Sequence, residues 1–165
     1  MTPSPLAPTA PRPQTILLVD DEPDILESLG DLFSAALPNA KVLTAPSGDE
    51  ALVLLGQQNV DLIVSDYKMP GMNGLQFLEK ALVLAPQVPR IMMTAFPDLE
   101  IAIAAINDAR IETFFTKPLD PDKILSVVSD ALSGRKAKAQ RDQALARALD
   151  EARRKAAAKP RGGAA

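Results

Sequence analysis

The chain has 165 residues, 47% of them hydrophobic, with no cysteine, no histidine and a formal net charge of -3. That length accommodates one domain with flanking segments and enough apolar side chains for a single core. The two missing residue types exclude, within these residues, disulfide frameworks, thiolate or imidazole metal ligation, and Ser-His-Asp or Cys-His catalysis.

No apolar run reaches the roughly 18 residues of a membrane span, and the N-terminus lacks the order of a signal peptide, so a cytoplasmic protein is expected. The net charge hides a division: residues 1–133 hold 18 Asp and Glu against 8 Lys and Arg, while residues 134–165 hold 3 against 10. The acidic body argues against a nucleic-acid surface there.

Residues 1–13 are proline-rich without apolar periodicity and predict a disordered arm. Thr15–Val19 then predicts a buried strand running into Asp20, Asp21 and Glu22. From Asp24 the spacing of Ile25, Leu29, Leu32, Phe33 and Ala36 predicts a helix that Pro38 and Asn39 end. Lys41–Ala45 predicts a second strand, and Ser47 caps a second helix carrying Ala51, Leu52 and Leu55. Val60–Ser65 is an apolar run that stops on Asp66 and the turn-formers up to Gly74. Leu75, Phe77, Leu78, Ala81, Leu82 and Leu84 follow at helical spacing, then Arg90–Ala95 as a fourth strand ending on Thr94. A helix rich in alanine and isoleucine over 97–109 should pack loosely and shift at modest cost. Glu112–Thr116 is the fifth strand and ends on Lys117-Pro118; Asp120 and Pro121 open a fifth helix with Ile124, Val127, Val128, Ala131 and Leu132 inward, interrupted at Gly134.

Five nearly all-apolar strands alternating with five helices predict an α/β fold, a doubly wound parallel sheet of flavodoxin-like order 2-1-3-4-5. In that order ligands gather at the carboxyl ends of the strands, which here carry Asp20, Asp21, Asp66, Thr94 and Lys117. Three converging carboxylates repel by about 4 kcal/mol per pair at 4 Å with an effective dielectric near 20, so they need a cation or a proton. An all-oxygen, few-carboxylate site suits Mg²⁺, with Mn²⁺ as a substitute. A carboxylate oxygen of Asp66 is then free to attack phosphorus, with the Thr94 hydroxyl and Lys117 ammonium for the transferred phosphoryl oxygens.

Leu17–Glu22, Ser47–Leu52, Asp66–Gly74, Met93–Ala95 and Phe114–Pro118, in this order and spacing, resemble the receiver domain of two-component response regulators over about residues 14–133. The resemblance implies that Asp66 accepts a phosphoryl group from a sensor histidine kinase or phosphotransfer protein, the chain catalysing only its own phosphorylation and dephosphorylation. It implies Mg²⁺ held by Asp20, Asp21, Asp66 and the backbone carbonyl of Lys68. It also implies a switch in which Thr94 moves to the phosphate, Phe114 turns inward, and a protein-binding surface on the fourth helix, fifth strand and fifth helix changes. A phenylalanine at 114 carries no phenolic hydroxyl for a partner, and as a strand aromatic it also fits plain core packing. Lys68 is a cation beside the pocket whose effect on hydrolysis the residues leave open.

Residues 134–165 form a basic tail of helix-forming residues with a short stripe at Leu145, Leu149, Ala152 and Ala156. Three uses stay open for it: a solvated helix, a protein contact or homodimer extension, and a nucleic-acid or membrane-surface contact, the nucleic-acid reading lowered by the lack of interleaved aromatics. Pro160–Ala165 should be disordered. No effector domain fits in such a tail, so the expectation is a stand-alone receiver acting on a downstream protein target. The alternatives are the receiver portion of a longer enzyme or DNA-binding regulator, and a metal-dependent phosphatase, against which Lys68 stands where a second Asp would be needed.

Overall fold

The computed structural model describes residues 12–95 and 98–158, without the side chains of 135–144 and 157–158. The expected disorder of residues 1–13, except for Arg12 and Pro13, and of Pro160–Ala165 therefore lies outside the described residues. In chain order the elements are β1 (Gln14–Val19), α1 (Pro23–Ala36), β2 (Ala40–Ala45), α2 (Gly48–Gln57), β3 (Leu62–Asp66), α3 (Gly74–Leu84), β4 (Arg90–Thr94), α4 (Leu99–Asp108), β5 (Thr113–Thr116) and α5 (Pro121–Ala158). The strands form one parallel sheet in the order β2-β1-β3-β4-β5.

Alternation along each strand divides the core in two, because successive side chains leave opposite faces of the sheet. Leu17, Val19, Ile63 and Met92 meet Ala51, Leu55, Phe77, Leu78, Ala81 and Ala105, so α2, α3 and α4 cover one face. Ile16, Leu18, Leu62, Val64, Ile91 and Met93 meet Leu29, Phe33, Ile124, Val128 and Leu132, so α1 and α5 cover the other. Every residue of β3 and β4 is buried, as the apolar runs predict. The edge strands are less covered: β2 leaves Lys41 and Thr44 exposed, and no residue of β5 is fully buried. An edge strand has a neighbour on one side only, so water reaches its other flank. Ala36 and Leu84, the last apolar positions of the helical spacing, are exposed in the last turns of α1 and α3.

Helix starts follow the sequence signals. Ser47 caps α2 by accepting from the Glu50 amide, and Asn73 and Gln76 form a reciprocal capping box at α3. The expected interruption at Gly134 is not found: α5 runs through it to Ala158. A helical glycine costs about 1 kcal/mol relative to alanine, which flanking Ala, Leu, Lys and Arg offset, and it ends a helix only where a left-handed cap turns the chain onto a new path. The chain divides into two compact units, Met1–Leu132 and Ser133–Ala165. In the second, Leu145 and Leu149 are exposed, and Asp150–Arg154 and Glu151–Lys155 pair one turn apart. Among the described residues no helix is long and apolar enough to cross a membrane.

Candidate functional site

Because all five strands run the same way, their carboxyl ends share one edge of the sheet. The register sets Val19 beside Ser65, Asp66 beside Met93 and Thr94 beside Thr116, so Asp20, Asp66, Thr94 and Lys117 come out level. Neighbouring β1 and β3 are followed by helices on opposite faces, which opens a crevice between their ends. Asp20 is fully buried, Asp66 is 4% exposed and Thr94 1%.

Oxygens of Asp20, Asp21 and Asp66 lie within 4.8 Å of one another. The Lys117 ammonium donates to Asp20 Oδ2 at 3.1 Å and pairs with Asp66 Oδ1 at 3.3 Å. The backbone orients these groups: the Glu22 amide donates to Asp20 Oδ1 at 2.9 Å, the Tyr67 amide to the Met93 carbonyl at 2.8 Å, and the Lys117 amide to the Thr94 carbonyl at 2.7 Å. Burial, and after it the charge of Asp20, pushes the Asp66 carboxyl from 3.8 up to about 6, against the opposing pull of Lys117 and the Tyr67 amide. Burial alone would lower the Lys117 pKa, but Asp20 and Asp66 together hold it above its ordinary value. The Lys117 ammonium thus contacts two of three neighbouring carboxylates.

A cleft of about 380 Å³ opens beside Asp66, lined by Asp21, Glu22, Lys68, Met69, Pro70, Ala95 and Lys117. Asp20 and Thr94 stand behind this lining. Phe114 is half-buried on β5, level with Met92, and packs against the cluster that contains Ala105 and Ala109. Asp20, Asp21, Asp66 and Lys117 thus come together, Thr94 ends the next strand at the same level, and Phe114 lies on the strand beside it.

Glu22, Met69, Pro70 and Ala95, which the sequence shows within the motifs but without a part of their own, also line the cleft. Gly74 is set by a close approach: a Cβ there would stand 2.0 Å from the Asp66 carbonyl oxygen. That carbonyl also accepts from the Ser65 hydroxyl at 3.0 Å. Across the sheet, at the opposite end of β3, buried Asp61 accepts from both terminal guanidinium nitrogens of Arg12 at 2.9 Å and from the Thr15 amide at 2.8 Å. A single sequence shows none of these approaches.

Comparison with known proteins agrees with this geometry. The family described as response regulator receiver domain matches residues 16–129. The transcriptional regulatory protein GlrR of Escherichia coli (strain K12) is 36% identical over 121 residues, 73% of this chain and 27% of that protein. The DNA-binding transcriptional regulator NtrC of Salmonella typhimurium is 32% identical over 118 residues, 72% of this chain and 24% of that protein. The chain thus spans about a quarter of the length of these relatives. Among solved structures, the signal receiver domain of an HD domain-containing protein from Pseudomonas fluorescens Pf-5 superposes with a TM-score of 0.73 at 34% identity, covering 76% of this chain and 99% of that one. A CheY-like receiver domain protein from Methanospirillum hungatei JF-1 gives 0.71 at 29% identity, covering 76% and 98%. With the sheet order, the crevice and the family match over most of its length in agreement, the chain belongs to the response regulator receiver domain family.

Proposed function

We propose that Asp66 accepts a phosphoryl group from a phosphohistidine on a sensor histidine kinase or phosphotransfer protein. The observation that carries this reading is a single strand-end carboxylate that shares a crevice with two further carboxylates and lies 3.3 Å from an ammonium. A carboxylate oxygen of Asp66 bonds to phosphorus while the P–N bond to the donor imidazole breaks, leaving an acyl phosphate here and, with one proton taken up from water, a neutral imidazole there. The hard oxygens of Asp20, Asp21 and Asp66, with the Lys68 carbonyl, fit Mg²⁺, or Mn²⁺ in its place. When bound, the ion supplies charge that offsets carboxylate repulsion and the negative phosphoryl oxygens. Lys117 and the Thr94 hydroxyl bind the remaining phosphoryl oxygens.

The signal then leaves through Thr94 and Phe114 toward α4, β5 and α5, where a downstream protein docks. Moving an equilibrium from 1:99 to 99:1 takes about 5.5 kcal/mol, whereas one charge-assisted hydrogen bond supplies about 1.5–3 kcal/mol. Thr94 therefore needs help from the Lys117 contact and from burial of Phe114. Incubation with Mg²⁺ and acetyl phosphate, read by mass spectrometry, should add one hydroxylamine-sensitive phosphoryl group to the wild type and none to Asp66→Asn. Equal labelling of the variant overturns the assignment.

A second reading, the receiver portion of a longer DNA-binding regulator, is favoured by the curated relatives, which are transcriptional regulators about four times the matched length. Residues 134–158 would then lead toward an output domain. The reading frame around the gene distinguishes the two.

A further inference from the structure

Arg90 is an arginine almost without exposure, 5%, at the first position of β4, and the site chemistry makes no use of it. Its guanidinium donates from Nε to the Ala109 carbonyl at 2.9 Å, from one terminal nitrogen to the Val88 carbonyl at 2.6 Å, and from the other to the Arg110 carbonyl at 3.1 Å. Ala109 is the C-cap of α4, and Arg110 comes next with a left-handed φ of 48°. The Ala109 and Ile111 amides both return to the Ala105 carbonyl, and the Glu112 amide donates to the Arg90 carbonyl at 2.8 Å. Arg90 thus grips the end of α4 with its side chain and the segment entering β5 with its backbone. The last turn of α4 has no basic residue of its own; Arg90 brings a buried cation to the negative end of the helix, beside the exposed Arg110 that follows the C-cap.

The two ends of α4 are held unequally. Along its inward side Ala105 and Ala109 are fully buried, whereas Ile101 and Ala102 one turn earlier are only half-buried; Leu99, Ile103 and Ile106, 75%, 48% and 56% exposed, mark the outer side of the helix. The loosely held end is the one nearer in sequence to Thr94 and Ala95. β4 therefore carries Thr94 at one end and the anchor of α4 at the other.

We propose that Arg90 is a positioning residue that makes the C-terminal end of α4 a fixed pivot, so that displacement of Thr94 is expressed at the opposite end of the helix, around Leu99–Ile103. This rests on the phosphoacceptor reading for its trigger, but not for the anchor itself. An apolar side chain of similar length leaves the Ala109 and Arg110 carbonyls without their donor. A lysine keeps the charge but cannot fork between the two.

The test is hydrogen exchange on the full chain, as wild type, Arg90→Met and Arg90→Lys, with and without Mg²⁺ and beryllofluoride, and with acetyl phosphate labelling of Asp66 in parallel. In the wild type, beryllofluoride should change exchange over 99–103 and leave 105–112 within about twofold. In Arg90→Met, exchange over 105–112 should rise by about tenfold or more before any ligand is added, as loss of a charge-assisted bond implies. Beryllofluoride should then alter both ends alike, while Asp66 labelling stays within about twofold of wild type. Arg90→Lys should fall between the two, and it carries the same comparison if Arg90→Met does not fold. An unchanged gradient in the variants, or equal responses at both ends of wild-type α4, overturns the pivot. Failure of wild-type Asp66 to label overturns the phosphoacceptor reading instead, and the ligand-free exchange over 105–112 still decides whether Arg90 anchors the helix.

Discussion

Asp66 holds its proton to about pH 6, against 3.8 for an ordinary aspartate, because burial first and Asp20 second disfavour its charge. The folded state binds that proton more tightly than the unfolded chain, so the group's stabilising contribution is complete below about pH 3.8 and is lost as pH rises through 6. Asp66→Asn removes the loss: it should raise stability at pH 7 to 8 by about 1–2 kcal/mol, with the gain vanishing below pH 4, as thermal melts across pH will measure. In the same range protons compete with the cation, so Mg²⁺ affinity should fall as pH drops through 6, read by titration calorimetry. Asp20→Asn with Asp21→Asn should abolish Mg²⁺ binding and phosphorylation. Unchanged affinity in that variant would show that the three carboxylates do not act together.

At the scale of elements, the loop from β3 to α3 is shaped by one contact. A side chain at 74 would drive a methyl into the Asp66 carbonyl, which β3 cannot move because the strand is buried and paired on both sides. Gly74→Ala should therefore cost about 2–4 kcal/mol and reduce labelling of Asp66 by distorting the acceptor, a result that denaturant melts and mass spectrometry report together. At the other end of β3, Arg12 holds the buried Asp61 carboxylate with two hydrogen bonds. The arginine is half-exposed, so solvent screens the pair, and Arg12→Ala should cost about 1 kcal/mol while leaving the distant phosphoacceptor chemistry unchanged. A loss of labelling equal to that of Gly74→Ala would show that the two ends of β3 are coupled.

For the whole molecule, the core closes at Leu132: Leu132 is buried, its carbonyl accepts from Gln14, and the compact first unit ends there. A chain ending at residue 133 is expected to keep its melting temperature within a few degrees and to label at Asp66 at the full rate. A large drop in melting temperature would place the domain boundary further along α5 and give residues 134–158 a structural part.

Local chemistry alone determined the element order and the parallel sheet, and it put Asp20, Asp21, Asp66, Thr94 and Lys117 at strand ends, whereas parts for the Lys68 carbonyl and Phe114 came only from the resemblance. Apolar runs of strand length, helical spacing and caps are properties of a few neighbouring residues, and a parallel sheet necessarily brings its strand ends to one edge. The greater exposure of the edge strands is not legible in the sequence, since an apolar run does not say how many neighbours its strand has. Gly134 was over-read, because whether a glycine ends a helix depends on the path its neighbours take rather than on the glycine itself. Only the tertiary structure decided that Lys117 lies between Asp20 and Asp66, that Gly74 abuts the acceptor's carbonyl, and that Arg90 closes α4. Lys117 reaches Asp20 across 97 positions of chain and Arg90 reaches Arg110 across 20, and such contacts arise from packing geometry that no local pattern encodes.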